Sequence, residues 1–356
     1  MPGTADIALV SLGTTMGLRE ADAAFASLVR AAGASCTLVP VRFGATVALR
    51  RRSMALIDLV EALSARRTGA GVRAAGAIVY STVTAALLRP SHDVPVAVRF
   101  DGTAGLNRPG GGGAWQRRRE RGALAGAALL LPWSAAAQTA AVEAVGAGAP
   151  PSVVFPPLLA AVERGRPAPA DAADVVAYGA NPDKRGLELL CEAWAGARPA
   201  GATLAIGGID REAGLRWLAR SGAAEPPGIT WLGRVQRERW LGLVASARVF
   251  VSAARIEDWG LAQMEALAAG TPLVTAPAPG ANAALPLARS LAPALVAAQR
   301  SAPALAVALR AGLGLDARER AAYAASAAEL LEPFGEATLR RRMAQEILPR
   351  LLSSSA

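Results

Sequence analysis

The chain has 356 residues, enough for two domains of ordinary size, and 53% of them are hydrophobic, which predicts a packed fold and excludes a disordered chain. Its two cysteines, Cys36 and Cys191, lie far apart, and His92 is the only histidine, which excludes a disulfide framework, a zinc site and a multi-histidine metal site. The net charge is +10, and it is uneven: residues 1–160 carry 16 arginines against 9 acidic residues.

The basic N-terminal half fits a phosphate, an acidic acceptor or an anionic membrane surface, and it fits an arginine-rich solvated surface equally well. The chain begins MPGTADIALVSLG, without a basic segment before an apolar run, so we expect no signal peptide. The apolar run from Ala123 to Trp133 is too short to span a bilayer. We therefore expect a cytoplasmic protein and leave peripheral membrane contact open.

Apolar runs alternate with helical patterns through the first 160 residues. The predicted strands are Ile7–Leu12, Cys36–Val39, Ala77–Tyr80, Val94–Arg99, Ala128–Leu131 and Ser152–Phe155. The predicted helices are Ala21–Ala32, Met54–Arg66, Ala114–Leu124 and Ala135–Val145. This β-α-β repetition predicts a parallel sheet with helices on both faces.

A segment of linker composition, AVERGRPAPADAA at Ala161–Ala173, interrupts the alternation before it begins again. The next predicted strands are Val175–Tyr178, Thr203–Ile206, Ile229–Leu232, Val249–Ser252 and Leu273–Thr275. The predicted helices are Leu187–Trp194, Glu212–Arg220, Arg237–Ser246, Leu261–Ala269, Ala317–Leu331 and Phe334–Leu352.

The pattern predicts an α/β fold with two doubly wound, Rossmann-like domains that face a central cleft. We expect an N-terminal acceptor-side domain over 1–160, a linker over 161–173 and a C-terminal donor-binding domain over 174–335. The remaining residues, 336–356, form a helix and tail that we expect to pack back on the N-terminal domain. In such folds, ligands bind at the carboxyl ends of the strands.

The stretch VFVSAARIEDWGLAQMEALAAGTP at Val249–Pro272 carries the densest set of functional residue types. A strand ends near Ser252, and the helix that follows begins at about Leu261. Glu257 lies before this helix and Glu265 inside it, so both carboxylates can accept hydrogen bonds from sugar hydroxyls. The free amides from Gly260 onward form an electropositive helix end that suits hydroxyls or phosphate.

Residues 257–274, EDWGLAQMEALAAGTPLV, resemble the donor domain of retaining glycosyltransferases of the GT-B fold, specifically glycosyltransferase family 4 (glycosyl transferases group 1). The resemblance implies that Glu257 contacts the hydroxyls of the donor sugar and that Glu265 contacts the ribose. It also implies that the amides of Gly260 and Leu261 bind sugar or phosphate.

Two further segments carry the same resemblance. The segment VVAYGANPDKRGLELLCEAW is similar to the family's diphosphate-binding segment, in which Lys184, the chain's only lysine, and Arg185 would neutralise the leaving nucleoside diphosphate. Ala180 occupies the place where the family often has an arginine, so one phosphate contact is expected to be missing. The segment ITWLGRVQ resembles the loop whose backbone contacts the nucleobase, at Gly233, Arg234 and Val235.

In the N-terminal half, Gly13 lies in a turn between a strand and a helix and would allow a ligand close to the backbone. The spacing is not that of a dinucleotide site. The resemblance places this loop at the border of donor and acceptor. A buried strand brings Arg99 and Asp101 to its carboxyl end, and Asp101 is our candidate for the polar group nearest the reacting centre. The family often has a histidine there, whereas His92 precedes the strand and receives no catalytic role.

The function expected from the resemblance is retaining transfer of a sugar from a nucleotide-sugar to an unidentified acceptor, which is a glycan, a lipid-linked molecule or a small molecule. We expect no metal, because Lys184 and Arg185 supply positive charge, and no nucleic-acid partner. Two alternatives stay open: a phosphorylase- or synthase-type enzyme on small soluble sugars, and a non-catalytic protein that binds a nucleotide or glycan. Two arginine triplets, 50–52 and 117–119, suggest salt-sensitive contact with an anionic membrane.

Overall fold

A computed structural model describes residues 5–43, 54–72, 74–107, 113–159 and 169–352. The chain divides into two compact units. Unit 1 comprises Met1–Leu158 and Pro333–Ala356, and unit 2 comprises Leu159–Glu332. Each unit contains a five-stranded parallel sheet with helices around it. The predicted α/β class with two doubly wound sheets is confirmed.

The sheet of unit 1 has the strand order β2-β1-β3-β4-β5, and all neighbouring strands are parallel. Its strands are β1 (Ala5–Ser11), β2 (Cys36–Pro40), β3 (Ala75–Tyr80), β4 (Val96–Phe100) and β5 (Leu129–Pro132). Every residue of β4 is buried, as expected for a central parallel strand with both faces covered. Every residue of β5 is buried as well, although β5 is the last strand in this order.

The prediction of a strand over Ser152–Phe155 is wrong. Only Ser152 forms an isolated parallel bridge, with Leu130. The amides of Val153 and Phe155 still donate to carbonyls of the β5 segment, at 2.9 and 2.7 Å. Prolines at 150, 151, 156 and 157 lack an N–H and flank the segment on both sides, so a continuous ladder cannot extend.

Among its described residues, unit 1 has six helices between Met16 and Val145 and two more near the C-terminus. They are α1 (Met16–Ala31), α2 (Met54–Ala70), α3 (Val83–Ala86), α4 (Ala104–Asn107), α5 (Ala114–Ala125) and α6 (Ala135–Val145). Near the C-terminus, α15 (Glu336–Arg342) continues through a π-helical turn (Met343–Ile347) into α16 (Leu348–Leu352). The helix α1 begins five residues before its predicted start, because the Thr15 hydroxyl accepts a hydrogen bond from Leu18 N at 3.2 Å and caps the helix.

The C-terminal helices complete the core of unit 1. Leu339, Met343, Ile347 and Leu351 are fully buried in the same cluster as the strands β1 and β3 and the apolar face of α1. Burial of a side chain of this size contributes roughly 1.5–3 kcal/mol. Residues after 332 therefore belong physically to the first unit.

The sheet of unit 2 has the order β10-β9-β6-β7-β8, again with parallel neighbours. Its strands are β6 (Val175–Tyr178), β7 (Leu204–Gly207), β8 (Ile229–Gly233), β9 (Val249–Ser252) and β10 (Leu273–Thr275). Its helices are α7 (Pro182–Arg185), α8 (Leu187–Ala197), α9 (Arg211–Arg220), α10 (Arg237–Ser246), α11 (Leu261–Ala269), α12 (Ala284–Leu291), α13 (Ala302–Gly314) and α14 (Ala317–Leu330).

The strand order of unit 2 reverses between β6 and β9. From β6 the chain adds β7 and β8 on one side and then returns to place β9 and β10 on the other. The loops that leave the carboxyl ends of β6 and β9 therefore diverge to opposite faces and leave a crevice, which is where doubly wound sheets bind ligands. Among the described residues, no helix is long and apolar enough to cross a membrane.

Candidate functional site

The turn after β6 packs closely against the turn after β9. Asn181 adopts a left-handed conformation, with φ 57°, and its side chain caps α7 by accepting from Lys184 N at 3.4 Å. Gly186 then follows with φ 62°. A Cβ at Gly186 would lie 2.1 Å from the carbonyl oxygen of Ala253, so only glycine permits this contact between the two turns. Lys184 and Arg185 are thereby placed beside the loop that carries Glu257.

Two ion pairs join these turns. Lys184 Nζ contacts the carboxylate of Asp258, and the Arg185 guanidinium donates to Glu257 Oε2. The Arg185 guanidinium also lies over the ring of Tyr178, 5.5 Å from its centroid. The side chain of Glu257 is 4% exposed, whereas the two cations are 30% and 23% exposed. The cations therefore remain accessible at the reversal of strand order.

Glu257 is held from two further directions. Its backbone N–H donates to Pro279 O at 3.0 Å, and a Cβ at Gly280 would lie 2.2 Å from Glu257 O. Gln263 Nε2, on α11, lies 3.2 Å from Glu257 Oε2 and 3.0 Å from Ser252 Oγ. The sequence did not single out Gln263, whose only signal was its position near the start of a helix that follows the acidic loop.

The N-terminus of α11 lies next to this carboxylate. Gly260 precedes the helix with φ 87° and provides no side-chain cap, so the first amides depend on other partners. Its Cα hydrogen faces Asn282, since a Cβ there would lie 3.2 Å from Asn282 Oδ1 and 3.5 Å from Glu257 Cγ. Leu261 is half-buried. The helix end therefore faces a tightly packed polar corner with positive backbone character.

Glu265 belongs to a separate hydrogen-bond set. Glu265 is 2% exposed. Its Oε1 accepts a hydrogen bond from the Arg237 guanidinium, and its Oε2 accepts one from Trp240 Nε1 at 2.9 Å. The Trp240 ring packs over Gly207, where a Cβ would lie 2.6 Å from the ring. Both carboxylate oxygens are thus already engaged, and the structure gives Glu257 and Glu265 different partners. Arg237 and Trp240 carried no sequence signal for this role.

The loops after β7 and β8 lie at the same edge of the sheet. Gly233 has φ 61°, its N–H donates to Ile209 O at 3.1 Å, and its carbonyl accepts from Gly208 N at 2.7 Å. Arg234 is exposed and Val235 is half-buried. Ala180 packs against Gly208, where a Cβ would lie 2.9 Å from the alanine Cβ, so only glycine at 208 permits this contact.

In unit 1, Arg99 is not presented to a ligand. Arg99 is 1% exposed, and its NH1 lies 2.8 Å from Asp22 Oδ1, while the Ser11 hydroxyl donates to Asp22 Oδ2 at 2.6 Å. The guanidinium is stacked 4.7 Å from the ring of Trp133 and 5.2 Å from that of Phe25. Burial raises the pKa of Asp22, although Arg99 and the Ser11 hydroxyl oppose this, and burial lowers the pKa of Arg99. The pair joins α1 to β4.

Asp101, by contrast, borders a cavity of about 190 Å³. The cavity lies where the strand order of unit 1 reverses, and its walls include Leu12 and Thr14 after β1 and Thr82 after β3. Gly13, between the first two, has φ 56° and accepts a hydrogen bond from Arg19 NH1 at 2.9 Å.

His92 lies apart from the strand end, in the segment before β4. Its Nε2 is 2.9 Å from Tyr80 Oη, within hydrogen-bond distance. Arginines 117–119 lie on α5, whereas residues 50–52 are outside the described residues. Within the ranges that the structure describes, no group of three or more His, Cys, Asp or Glu side chains is placed to hold a metal ion.

Comparison with known proteins connects this arrangement to a transferase domain. Residues 172–314, which contain every candidate residue of unit 2, match the family described as "Glycosyl transferases group 1". No curated protein sequence matches the chain.

Solved structures match nearly the whole chain at low identity. The sucrose-phosphate synthase of Thermosynechococcus elongatus has a TM-score of 0.75 at 16% identity, with 98% of this chain and 99% of that chain covered. HepE of Anabaena, crystallised with UDP and glucose, has a TM-score of 0.67 at 16% identity, covering 96% and 98%. WaaG, a glycosyltransferase involved in lipopolysaccharide biosynthesis, has a TM-score of 0.64 at 15% identity, covering 98% of each chain.

These similarities agree with the sequence prediction at two levels. The matched structures share the GT-B arrangement of two α/β units, and the chain has that fold. The match of residues 172–314 to a glycosyl transferase domain indicates a transferase enzyme.

Proposed function

We propose that the protein is a retaining glycosyltransferase that takes a sugar from a nucleotide-sugar donor bound in unit 2. The observation that supports this most is the meeting of Lys184 and Arg185 with the Glu257–Asp258 loop at the reversal of strand order. Two accessible cations next to two carboxylates and a helix N-terminus can hold a diphosphate and a hydroxylated ring together.

The ion pairs suggest how the donor enters. In the free protein each cation is neutralised by a carboxylate. A diphosphate offers the same charge with more acceptor oxygens, so it can replace Glu257 and Asp258 as the partner of Arg185 and Lys184. The carboxylate of Glu257 is then released to accept hydrogen bonds from the sugar, as the resemblance implies.

The chemistry that follows from these residues is positioning and electrostatic stabilisation. As the bond between sugar and phosphate breaks, negative charge grows on the leaving diphosphate, and Lys184 and Arg185 lie where that charge develops. The amides of Gly260 and Leu261 add positive backbone character at the start of α11. The mechanism assigns no step to a metal.

The remaining contacts are proposed for the nucleoside. The backbone at Gly233, Arg234 and Val235 would face the base. Each oxygen of Glu265 already accepts one hydrogen bond, from Arg237 or from Trp240. A ribose hydroxyl would donate to a remaining lone pair or replace the bond from Arg237, whose side chain is 23% exposed.

Two other functions remain candidates for specific reasons. A synthase acting on small soluble sugars fits the structural likeness to sucrose-phosphate synthase. A non-catalytic nucleotide- or glycan-binding protein fits the alanine at position 180 and the absence of a histidine after β4.

Incubation with a panel of nucleotide-sugars, without an acceptor, separates an enzyme from a binding protein. An enzyme releases nucleoside diphosphate slowly by hydrolysis, and Glu257→Gln, which keeps the size of the side chain, reduces that release about 100-fold while the variant stays folded. Arg216→Ala, on the exposed face of α9, is the control that removes a cation away from the site. A binding protein would instead show thermal stabilisation by a donor and no release, and this outcome would reject the transferase proposal.

A further inference from the structure

A second cavity of unit 1 is separate from the one that Asp101 borders. It has a volume of about 720 Å³ and lies between α5 and the segment from Ala86, the last residue of α3, to Ser91. This volume is in the range of small-molecule sites. The two cavities share one wall residue, Leu87, so they are neighbours near the carboxyl ends of the strands.

One face of α5 lines this cavity with cations and an aromatic ring. Trp115, Arg118, Arg119 and Gly122 are spaced three, four and seven residues apart, which places them on one side of a helix. The buried side chains of the helix belong to other positions. Arg118 and Arg119 are exposed, and Trp115 is half-buried.

Gly122 is what keeps the cavity open along this face. A Cβ built there meets no heavy atom within 4 Å. A glycine in the middle of a helix costs roughly 0.5–1 kcal/mol relative to alanine. The open space above Gly122 lets a ligand approach the helix backbone between the two arginines and the opposite wall.

The opposite wall contributes a third cation. Arg89 donates one hydrogen bond from NH2 to Gly126 O, yet its Nε is buried and has no hydrogen-bond partner among the described residues. None of the described residues that line the cavity is acidic. Three arginines therefore line a space whose described wall residues include no acid, and a buried N–H without an acceptor is costly.

We propose that this cavity binds an anionic phosphate group of the acceptor, with the rest of that molecule lying on Trp115. The guanidinium N–H groups can donate paired hydrogen bonds to phosphate oxygens, and the indole face of Trp115 can pack against a sugar ring or the start of an apolar chain. The assignment of the ligand as the acceptor rests on the proposed transferase function. The binding of phosphate itself does not, since it depends only on the cavity.

The test measures binding without a donor, using glucose 6-phosphate as a soluble phosphate ester and phosphatidylglycerol vesicles as a lipid phosphate, with glucose and phosphatidylcholine vesicles as neutral counterparts. Arg118→Gln with Arg119→Gln removes two charges from the cavity. Arg66→Gln with Arg67→Gln is the matched control. It removes the same charge from two consecutive exposed arginines on α2 that do not line the cavity. Gly122→Leu places a side chain in the space beside the two arginines and keeps every charge.

Binding of one phosphate probe is expected to weaken at least tenfold in the cavity double variant and in Gly122→Leu, and to remain within twofold in the α2 control. Glucose 6-phosphate binding identifies a soluble acceptor, and vesicle binding alone identifies a lipid one; either result supports the proposal. Loss of equal size in both double variants, or no binding of either probe, overturns it. If the cavity binds phosphate but the protein does not hydrolyse the donor, the transferase function is rejected and the phosphate site still stands.

Discussion

Replacing Arg185 with alanine is the most direct test of the donor site. The guanidinium is 23% exposed, contacts Glu257 and lies over Tyr178. If it also contacts the diphosphate, its loss removes a charge-assisted hydrogen bond worth roughly 1.5–3 kcal/mol. At about 1.4 kcal/mol per factor of ten, this corresponds to a roughly 10- to 150-fold weaker binding of nucleoside diphosphate.

The structure places the expected loss near the lower end of that range. In the free protein, Arg185 must first release Glu257, and this exchange offsets part of the gain from contacting phosphate. Solvent also screens a side chain with this exposure. With UDP, which HepE binds, as the probe, we therefore expect roughly 10- to 30-fold weaker binding in Arg185→Ala.

Calorimetric titration with UDP and with uridine is the appropriate assay, because only UDP carries the diphosphate. Arg216→Ala, in which an exposed ion pair with Glu212 is lost, is the control for net charge. A comparable loss for uridine, or a comparable effect of Arg216→Ala on UDP, would show that Arg185 does not contact the diphosphate.

The other predictions concern three separate residues. Because Lys184 is the only lysine, reductive ¹³C-methylation gives one side-chain amine signal, which UDP should shift and uridine should not; an unchanged signal would remove Lys184 from the site. Glu265→Ala should raise the donor KM and also lower the free energy of unfolding by about 1–3 kcal/mol, because buried donors lose their acceptor; a pure kcat effect would contradict it. Asp22→Asn should cost about 3–5 kcal/mol in urea unfolding, because the buried Arg99 loses its counter-charge; a cost under about 1 kcal/mol would refute that pairing.

The sheets were predictable because parallel strands buried on both faces appear as short continuous apolar runs. Val175–Tyr178 and Val249–Ser252 have the predicted limits for this reason. The sequence prediction missed α12 and α13. The helix α13 begins at Ala302, has Pro303 in its first turn and lies in an alanine-rich segment that lacks a clear apolar period. Ser152–Phe155 was overpredicted because its apolar composition outweighed the flanking prolines.

Only part of the candidate site could be predicted from the sequence. Lys184, Arg185 and Glu257 carry a motif, whereas Gln263 and Trp240 act through contacts that only the packed sheet creates. The same is true of the buried pair in unit 1. Asp22 has the appearance of an ordinary helix-surface acid, and its partner Arg99 lies 77 positions away in the chain.

The return of the chain to unit 1 after Glu332 has a consequence for synthesis. Proteins emerge from the ribosome N-terminus first, and domains fold as units. Unit 2 is continuous, so it can fold as soon as residue 332 has emerged, whereas the core of unit 1 lacks Leu339, Met343, Ile347 and Leu351 until later. Unit 2 can therefore complete its folding before unit 1. During translation, the apolar face of unit 1 around α1 stays exposed until the C-terminal helices have emerged. Nascent chains stalled before residue 336 should bind chaperones through that face.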